Sequence, residues 1–299
     1  MVAVAEANAS NAWPRVAAWL PVAVVPAAVA WVAADWPAWI FMWALAIAIY
    51  GSLKWLTFAD LAVAAGAGVD RSLGYLLLWP GMDAEAFFAS RRHVARPRLG
   101  EWIRAGAELA LGGGLLVLSV NVVDRAPRTA VWIGIVGLAF VLHFGLFHLL
   151  SVVWRQEGID AVPIMRGPAL ATSLGDFWGR RWNLAFRDVA HAYVFRPLVG
   201  CLGGTVATVA VFLVSGGIHD AVISIPAGGG YGLPTLYFAI QGGGVLLERS
   251  RLGKRLGLRR GLAGRLFCAA VIVGPVFLLF HDPFLERVIV PMLQFLGNG

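Results

Sequence analysis

The chain has 299 residues, of which 59% are hydrophobic and only 14% charged, with a mean hydropathy of +0.75 and a net charge of +7 at neutral pH. That balance excludes a soluble globular protein, which carries about 25% charged residues, and points to an α-helical polytopic membrane protein. With no soluble domain to carry the basic excess, a nucleic-acid partner is excluded as well.

Crossing a hydrocarbon core of about 30 Å takes roughly 20 helical residues. Apolar runs of that order lie near 16–34, 103–123, 130–153, 199–225 and 262–280, with shorter ones near 36–50, 57–80, 232–247 and 284–296. Helix-length runs rather than alternating ten-residue strands exclude an outer-membrane barrel. About eight spans in a single domain, residues 1–299, are expected, all of them α-helical. Glu6, Asn8, Ser10 and Asn11 precede the first run and no basic stretch leads it, so that run is expected to be a retained span and not a cleaved signal. The run 57–80 is broken by Gly66, Gly68, Asp70 and Pro80, and reads as one tilted span or a re-entrant pair.

Two basic clusters set an orientation. Arg91, Arg92, Arg96, Arg98 and Arg104 form one; Arg249, Arg251, Lys254, Arg255, Arg259, Arg260 and Arg265 form the other. The positive-inside bias places both in the cytoplasm, where they would also meet anionic lipid headgroups. Counting spans from either cluster puts residues 155–198 on the cytoplasmic side. Cys201 and Cys268 lie inside apolar runs and read as small hydrophobic residues.

His143 and His148 share the run 130–153. Five residues separate them by about 140° around a helix, which excludes the i, i+4 pair of a helical metal site. His143 is the better candidate to line a pocket. His93 belongs to the basic loop, and His281, in "FHDP", reads as a helix-end residue.

The segment "SLGDFWGRRWNLAFRDVAHAYVFRPL", Ser173–Leu198, is the polar anomaly of the chain. On an ideal helix, Asp176, Arg180, Asn183, Arg187 and His191 fall within an arc of about 80°, and Trp178, Trp182, Ala185, Phe186, Val189 and Tyr193 within an opposite arc of about 100°. This predicts one two-faced helix, amphipathic or re-entrant, closed at Arg196-Pro197 because proline disfavours helix in the residue before it. Contact with lipid headgroups accounts for its arginines. It does not account for Asn183, which is a candidate for a wet, protein-lined cavity.

"VFLVSGGIHDAVISIP" sets His219 and Asp220 inside the apolar run 199–225. Ionisable residues at membrane depth are costly and default to function. Ser215-Gly216-Gly217 removes bulk beside them, admitting either a substrate or another helix. No G-x-S-x-G nucleophile motif accompanies His219. The economical chemistry is general-base catalysis, with His219 taking a proton from an alcohol that attacks an activated acyl group, and Asn183 stabilising the oxyanion or orienting the acceptor.

"SLGDFWGRRWN" ending at Asn183, "VFRP" at 194–197 and "FLVSGGIHD" containing His219 resemble the membrane-bound O-acyltransferase superfamily, in its wax synthase branch. Family-like motifs extend over about residues 100–250. One departure is Asp220, where the branch has glutamate. The resemblance implies transfer of a fatty acyl group from acyl-CoA, a co-substrate and not a cofactor, to the hydroxyl of a lipophilic alcohol inside a multi-pass membrane protein. The host membrane would be the cytoplasmic membrane in a bacterium and the endoplasmic reticulum in a eukaryote. The catalytic pair becomes His219 and Asn183, with Trp178, Arg180, Arg181, Trp182, Arg187, Asp220 and His143 as substrate-binding candidates, Arg180 and Arg181 toward CoA phosphates. A sterol, polyketide or other hydroxylated metabolite stays open as acceptor. Two readings of other classes also stand: a small-molecule transporter, from intramembrane His219 and Asp220 and the glycine-interrupted helices, and a noncatalytic membrane scaffold.

Overall fold

The computed structural model describes residues 12–65, 68–89 and 94–297. Arg91, Arg92 and His93 of the first basic cluster, Gly66, and the polar positions Glu6 to Asn11 lie outside the described residues. Every regular element among the described residues is helical. The principal helices are α1 (Ala12–Val32), α2 (Ala38–Ala65), α3 (Val69–Leu78), α4 (Leu99–Val122), α5 (Pro127–Gln156), α6 (Leu184–Ala227), α7 (Leu233–Arg249), α8 (Gly261–Val273) and α9 (Val290–Gly297). Among the described residues, five stretches have the length and composition to cross a bilayer: Ala38–Ala59, Leu99–Val122, Pro127–Gln156, Leu184–Ala227 and Gly261–Leu279. A shorter apolar stretch, Ala17–Val32, lies in α1. The chain is thus a polytopic helical membrane protein.

Three sequence expectations are corrected. The runs 36–50 and 57–80 are not separate units: α2 continues through Lys54, because that lysine is buried rather than exposed at a boundary. The break comes after Ala65, and α3 then stops at Trp79, extended at φ −124° and ψ 117° ahead of Pro80. At ten residues, about 15 Å, α3 is too short to span.

Second, residues 176–195 are not one helix. A π-helical turn, Phe177–Arg181, gives way to extended Trp182 and then Asn183, whose backbone is left-handed at φ 42° and ψ 63°. It is the one non-glycine residue with positive φ among those described. Asparagine tolerates that region because its short side chain bonds locally. Here Asn183 Oδ1 accepts from Phe186 N–H at 3.4 Å and starts α6 as its N-cap. The ideal-helix polar arc therefore does not exist as one face.

Third, Arg196-Pro197 does not close the segment. Arg196 is helical (φ −59°, ψ −43°), following the π-helical turn His191–Phe195, whose wider winding accommodates the missing proline N–H. The break in α6 falls instead at Gly203, φ 77° and ψ 164°, a backbone that only glycine adopts readily.

Helix α6 packs along α7, α4 along α5 and α1 along α2. Gly216 sets the α6–α7 approach: a Cβ there would sit 2.7 Å from Thr235 Cα, while one on Gly217 would meet nothing within 4 Å. The small residues beside His219 thus admit a helix at Gly216. One core joins α2, α5, the end of α6 and the C-terminal turns through Met42, Val131, Ile223 and Val288. A second joins Trp79, Met82, Ile164, Met165, Ala185 and Val189. A third joins Leu174, Phe177, Phe212, Phe238 and Cys268. Between them lies the cavity described next.

Candidate active site

A cavity of about 720 Å³, within the range of small-molecule sites, is enclosed by α2, α5, the segment 175–187, α6 and α7. Beyond the break at Gly203, its wall on α6 runs from Thr208 to Val222, a rise of roughly 21 Å at 1.5 Å per residue. Three of the four π-helical stretches among the described residues contribute to it, through His143, through Trp178 and Gly179, and through His191 and Phe195. Such wide turns re-aim side chains that a regular helix would direct elsewhere.

Asn183 and His219 both line this one cavity. His219 is fixed by its own helix: Nδ1 lies 2.7 Å from the Ser215 carbonyl oxygen. A carbonyl only accepts, so Nδ1 carries the proton and the neutral ring keeps its lone pair on Nε2. The Phe238 ring, 4.4 Å away between centroids, backs the imidazole. Because Oδ1 of Asn183 is engaged by Phe186, the amide Nδ2 is the group left for a ligand.

The Asn183 strand is held on several sides. Ser173 caps the first turn by accepting from Asp176 N–H at 3.1 Å, and buried Glu248 accepts from Leu174 N–H at 2.6 Å and Gly175 N–H at 3.3 Å. Asn183 N–H points at Met165 Sδ, 3.2 Å, and Leu184 N–H donates to Ile164 O at 2.9 Å. Trp178 Nε1 donates to Gln241 Oε1 at 3.4 Å, and Gln241 Nε2 donates onward to Val271 O at 2.7 Å.

Of the substrate-binding candidates, Trp178, Trp182, Arg187 and His143 line the cavity. Trp182 stacks between Phe177, 5.4 Å, and His143, 6.2 Å. Arg180, Arg181 and Asp220 do not line it, and the structure gives each a different partner. The Arg180 side chain is 78% exposed, its Nε 3.2 Å from Asp176 Oδ1. Arg181 donates from Nε to Asp176 Oδ2 at 2.6 Å and from Nη1 to the Arg166 and Gly167 carbonyls at 3.3 Å. Asp220 accepts from Ser224 Oγ (2.9 Å), Gly232 N–H (2.8 Å), and the N–H (3.0 Å) and hydroxyl of Thr235. It therefore pins the start of α7 to α6. Removing this acceptor orphans several donors at about 1–3 kcal/mol each. Asp220→Ala is accordingly expected to lower thermal stability by several kcal/mol while leaving KM for a bound substrate unchanged, as read by melting curves and steady-state kinetics.

Ser224, His281 and Asp220 superficially make a serine–histidine–carboxylate set. Phe284 N–H donates to His281 Nδ1 at 3.3 Å, so Nε2 carries the proton and, 3.1 Å from Ser224 Oγ, donates to it. That histidine cannot accept the serine proton; the set is a clamp on the 228–232 turn, and His281 is the helix-end residue its sequence context suggests.

Burial alone would raise the Asp176 carboxyl. The Arg181 hydrogen bond, the Thr172 N–H and the two neighbouring guanidinium groups outweigh it and hold the group below its ordinary 3.8. A depressed folded-state value stabilises the fold above the ordinary value and is lost as pH falls through the folded one. Asp176→Asn is expected to melt earlier at pH 7, by about 1–3 kcal/mol. The gap from wild type should close only below pH 3.8, which melts across a pH series would test.

Two polar residues at the site, and an apolar wall, were not among the sequence-derived candidates. Arg249 and His191 also line the cavity, and with Arg187 they form an exposed basic rim. Arg249 was absorbed into a topological cluster, and no local signal distinguishes it. The N-terminal half contributes Trp43, Ile47, Tyr50 and Pro80, an apolar wall.

Residues 161–240 match the family model described as membrane bound O-acyl transferase family. An acyl-CoA–sterol O-acyltransferase 1 of Arabidopsis thaliana is 34% identical over 90 residues, 28% of this chain and 26% of that protein. A long-chain-alcohol O-fatty-acyltransferase of Simmondsia chinensis is 33% identical over 100 residues, 29% of this chain and 28% of that protein. A probable long-chain-alcohol O-fatty-acyltransferase 1 of Arabidopsis thaliana is 35% identical over 130 residues, 40% of this chain and 37% of that protein. The chain thus matches between about a quarter and two fifths of the length of these curated relatives. The stretch that bears Asn183 and His219 is thus similar to the membrane bound O-acyl transferase family and, in these relatives, to long-chain-alcohol and sterol O-acyltransferases.

Proposed function

We propose that the protein transfers a fatty acyl group from acyl-CoA to the hydroxyl of a lipophilic alcohol within the cavity. The observation that carries this reading is that Asn183 and His219, 36 residues apart in sequence, face one apolar cavity with a basic rim. His219 Nε2 accepts the alcohol proton as the alcohol oxygen attacks the thioester carbonyl. Asn183 Nδ2 donates to the oxyanion that develops. Collapse breaks the carbon–sulfur bond, and the CoA thiolate takes the proton back from His219, leaving ester and free thiol.

Arg187, His191 and Arg249 suit the phosphates of CoA, and the charge-derived orientation puts that rim on the cytoplasmic side, where CoA is found. Arg187 shares its charge with Asp188 at 2.8 Å, which leaves Arg249 as the less encumbered cation. Trp43, Ile47 and Val222 offer an apolar surface for the tails. The named relatives act on long-chain alcohols and a sterol, which supports an alcohol of this lipophilic kind.

The test is incubation of purified protein with labelled acyl-CoA and a panel of long-chain alcohols and sterols, with product identified by mass. Ester and CoA thiol in equal amounts are expected. Flux of an alcohol across vesicles without ester would favour transport instead.

A further inference from the structure

Lys54 is buried to 1% exposure in α2, inside a stretch fit to cross the bilayer. No carboxylate lies within ion-pairing distance of it among the described residues. An ionisable side chain buried at that depth is costly and is kept where it has work to do. Its Nζ donates to the Gly81 carbonyl and stands 3.3 Å above the centre of the Tyr75 ring. Thr57 fixes the cage, donating to the Lys54 carbonyl at 2.9 Å and sharing a hydrogen bond with Tyr75 OH at 2.7 Å. One turn earlier, Tyr50 OH donates to the Pro80 carbonyl at 2.6 Å. Two side chains of α2 thus tie down successive carbonyls of the non-helical Trp79–Met82 stretch.

That stretch abuts the site. Tyr50 and Pro80 line the cavity, as does Ile164. Trp79 and Met82 pack in the same core as Ile164, Met165 and Ala185. Ile164 and Met165 are the two residues that meet the backbone N–H groups of Leu184 and Asn183. A continuous path runs from the lysine through the braced carbonyls and this core to the strained backbone of Asn183.

We propose that Lys54, seconded by Tyr50, is a positioning residue for Asn183. It locks the N-terminal half of the protein, outside the stretch that matches the family model, against the wall that aims the Asn183 amide. Its kinetic consequence rests on the acyl transfer proposed above; its structural consequence does not. Loss of positioning at a reacting centre costs up to roughly 100-fold in rate.

The test uses the full chain in detergent or lipid discs, with Lys54→Met, which keeps the stem and removes the amine donor, and Tyr50→Phe. Hydrogen exchange at the Leu184 and Phe186 amides is expected to rise at least tenfold in Lys54→Met, with that at Gly232 and Thr235, held by Asp220, unchanged. A smaller rise at the same two amides is expected in Tyr50→Phe. In turnover, kcat of Lys54→Met is expected to fall roughly 10–100-fold with KM for acyl-CoA unchanged, and the double variant Lys54→Met with Asn183→Gly is expected to be no slower than Asn183→Gly alone. Unchanged exchange at Leu184 and Phe186 overturns the proposal whatever the activity. So does a uniform rise at all four amides, or a kcat loss that multiplies with that of Asn183→Gly, since each marks general destabilisation. A wild-type protein without acyl turnover would sink the proposed function and leave the exchange comparison to decide the brace.

Discussion

His219→Ala is expected to lower acyl transfer by about 10²–10⁴-fold, the usual contribution of a positioned general base, while acyl-CoA still binds. The expectation follows from atoms already in place. Nδ1–H donates to Ser215 O at 2.7 Å, so the ring presents an unprotonated Nε2 without reorganisation, and Phe238 limits its rotation. Because α6 supplies both the imidazole and the carbonyl that fixes its tautomer, the variant should remove the base without disturbing the helix; alanine is the better helix former. Steady-state rates and a binding isotherm for acyl-CoA would separate the two effects.

The second large effect is expected at Asn183, whose side chain serves the backbone and the site together. Asn183→Gly keeps the left-handed backbone and costs only a few tenths of a kcal/mol as a cap, yet it removes the amide donor. Its kcat is expected to fall about 10²–10³-fold, as loss of one oxyanion donor does. Asn183→Ala should match that kinetic loss and add about 1–2 kcal/mol of instability, because alanine neither caps the helix nor tolerates φ 42°. Asn183→Asp retains an acceptor for Phe186 N–H and tolerates the backbone, but puts a negative charge where an oxyanion must form. It should melt near wild type and turn over no faster than the glycine variant. Parallel kinetics with divergent melting among these three variants would separate the two roles of the residue.

The helical class of the fold was legible because length and apolarity suffice to identify membrane helices. Boundaries set by burial were not. Lys54 lies between the apolar runs 36–50 and 57–80, and only its enclosure by Tyr75 and the Gly81 carbonyl accounts for its place inside one continuous α2. Asn183 and His219 were legible for different reasons: one was unexplained on a lipid-facing surface, the other was ionisable at membrane depth. The ideal-helix projection gave Asn183 a plausible face by the wrong geometry. The residue reaches the cavity because the helix stops there, through a left-handed turn that an angular plot cannot contain. Arg180, Arg181 and Asp220 looked like binding groups because charge in an apolar chain demands a partner, and they have one: Asp176 and two carbonyls for the arginines, the α7 terminus for the aspartate. Arg249 and the brace at Lys54 depend on contacts between segments far apart in sequence, which no local pattern encodes.

Single-turnover product analysis of wild type and His219→Ala, with labelled acyl-CoA and the alcohol panel, addresses the central claim most directly. Wild type is expected to yield one ester per CoA thiol released, and His219→Ala to bind acyl-CoA yet yield ester at least about 100-fold more slowly. Ester formation at equal rates by both proteins would contradict the account.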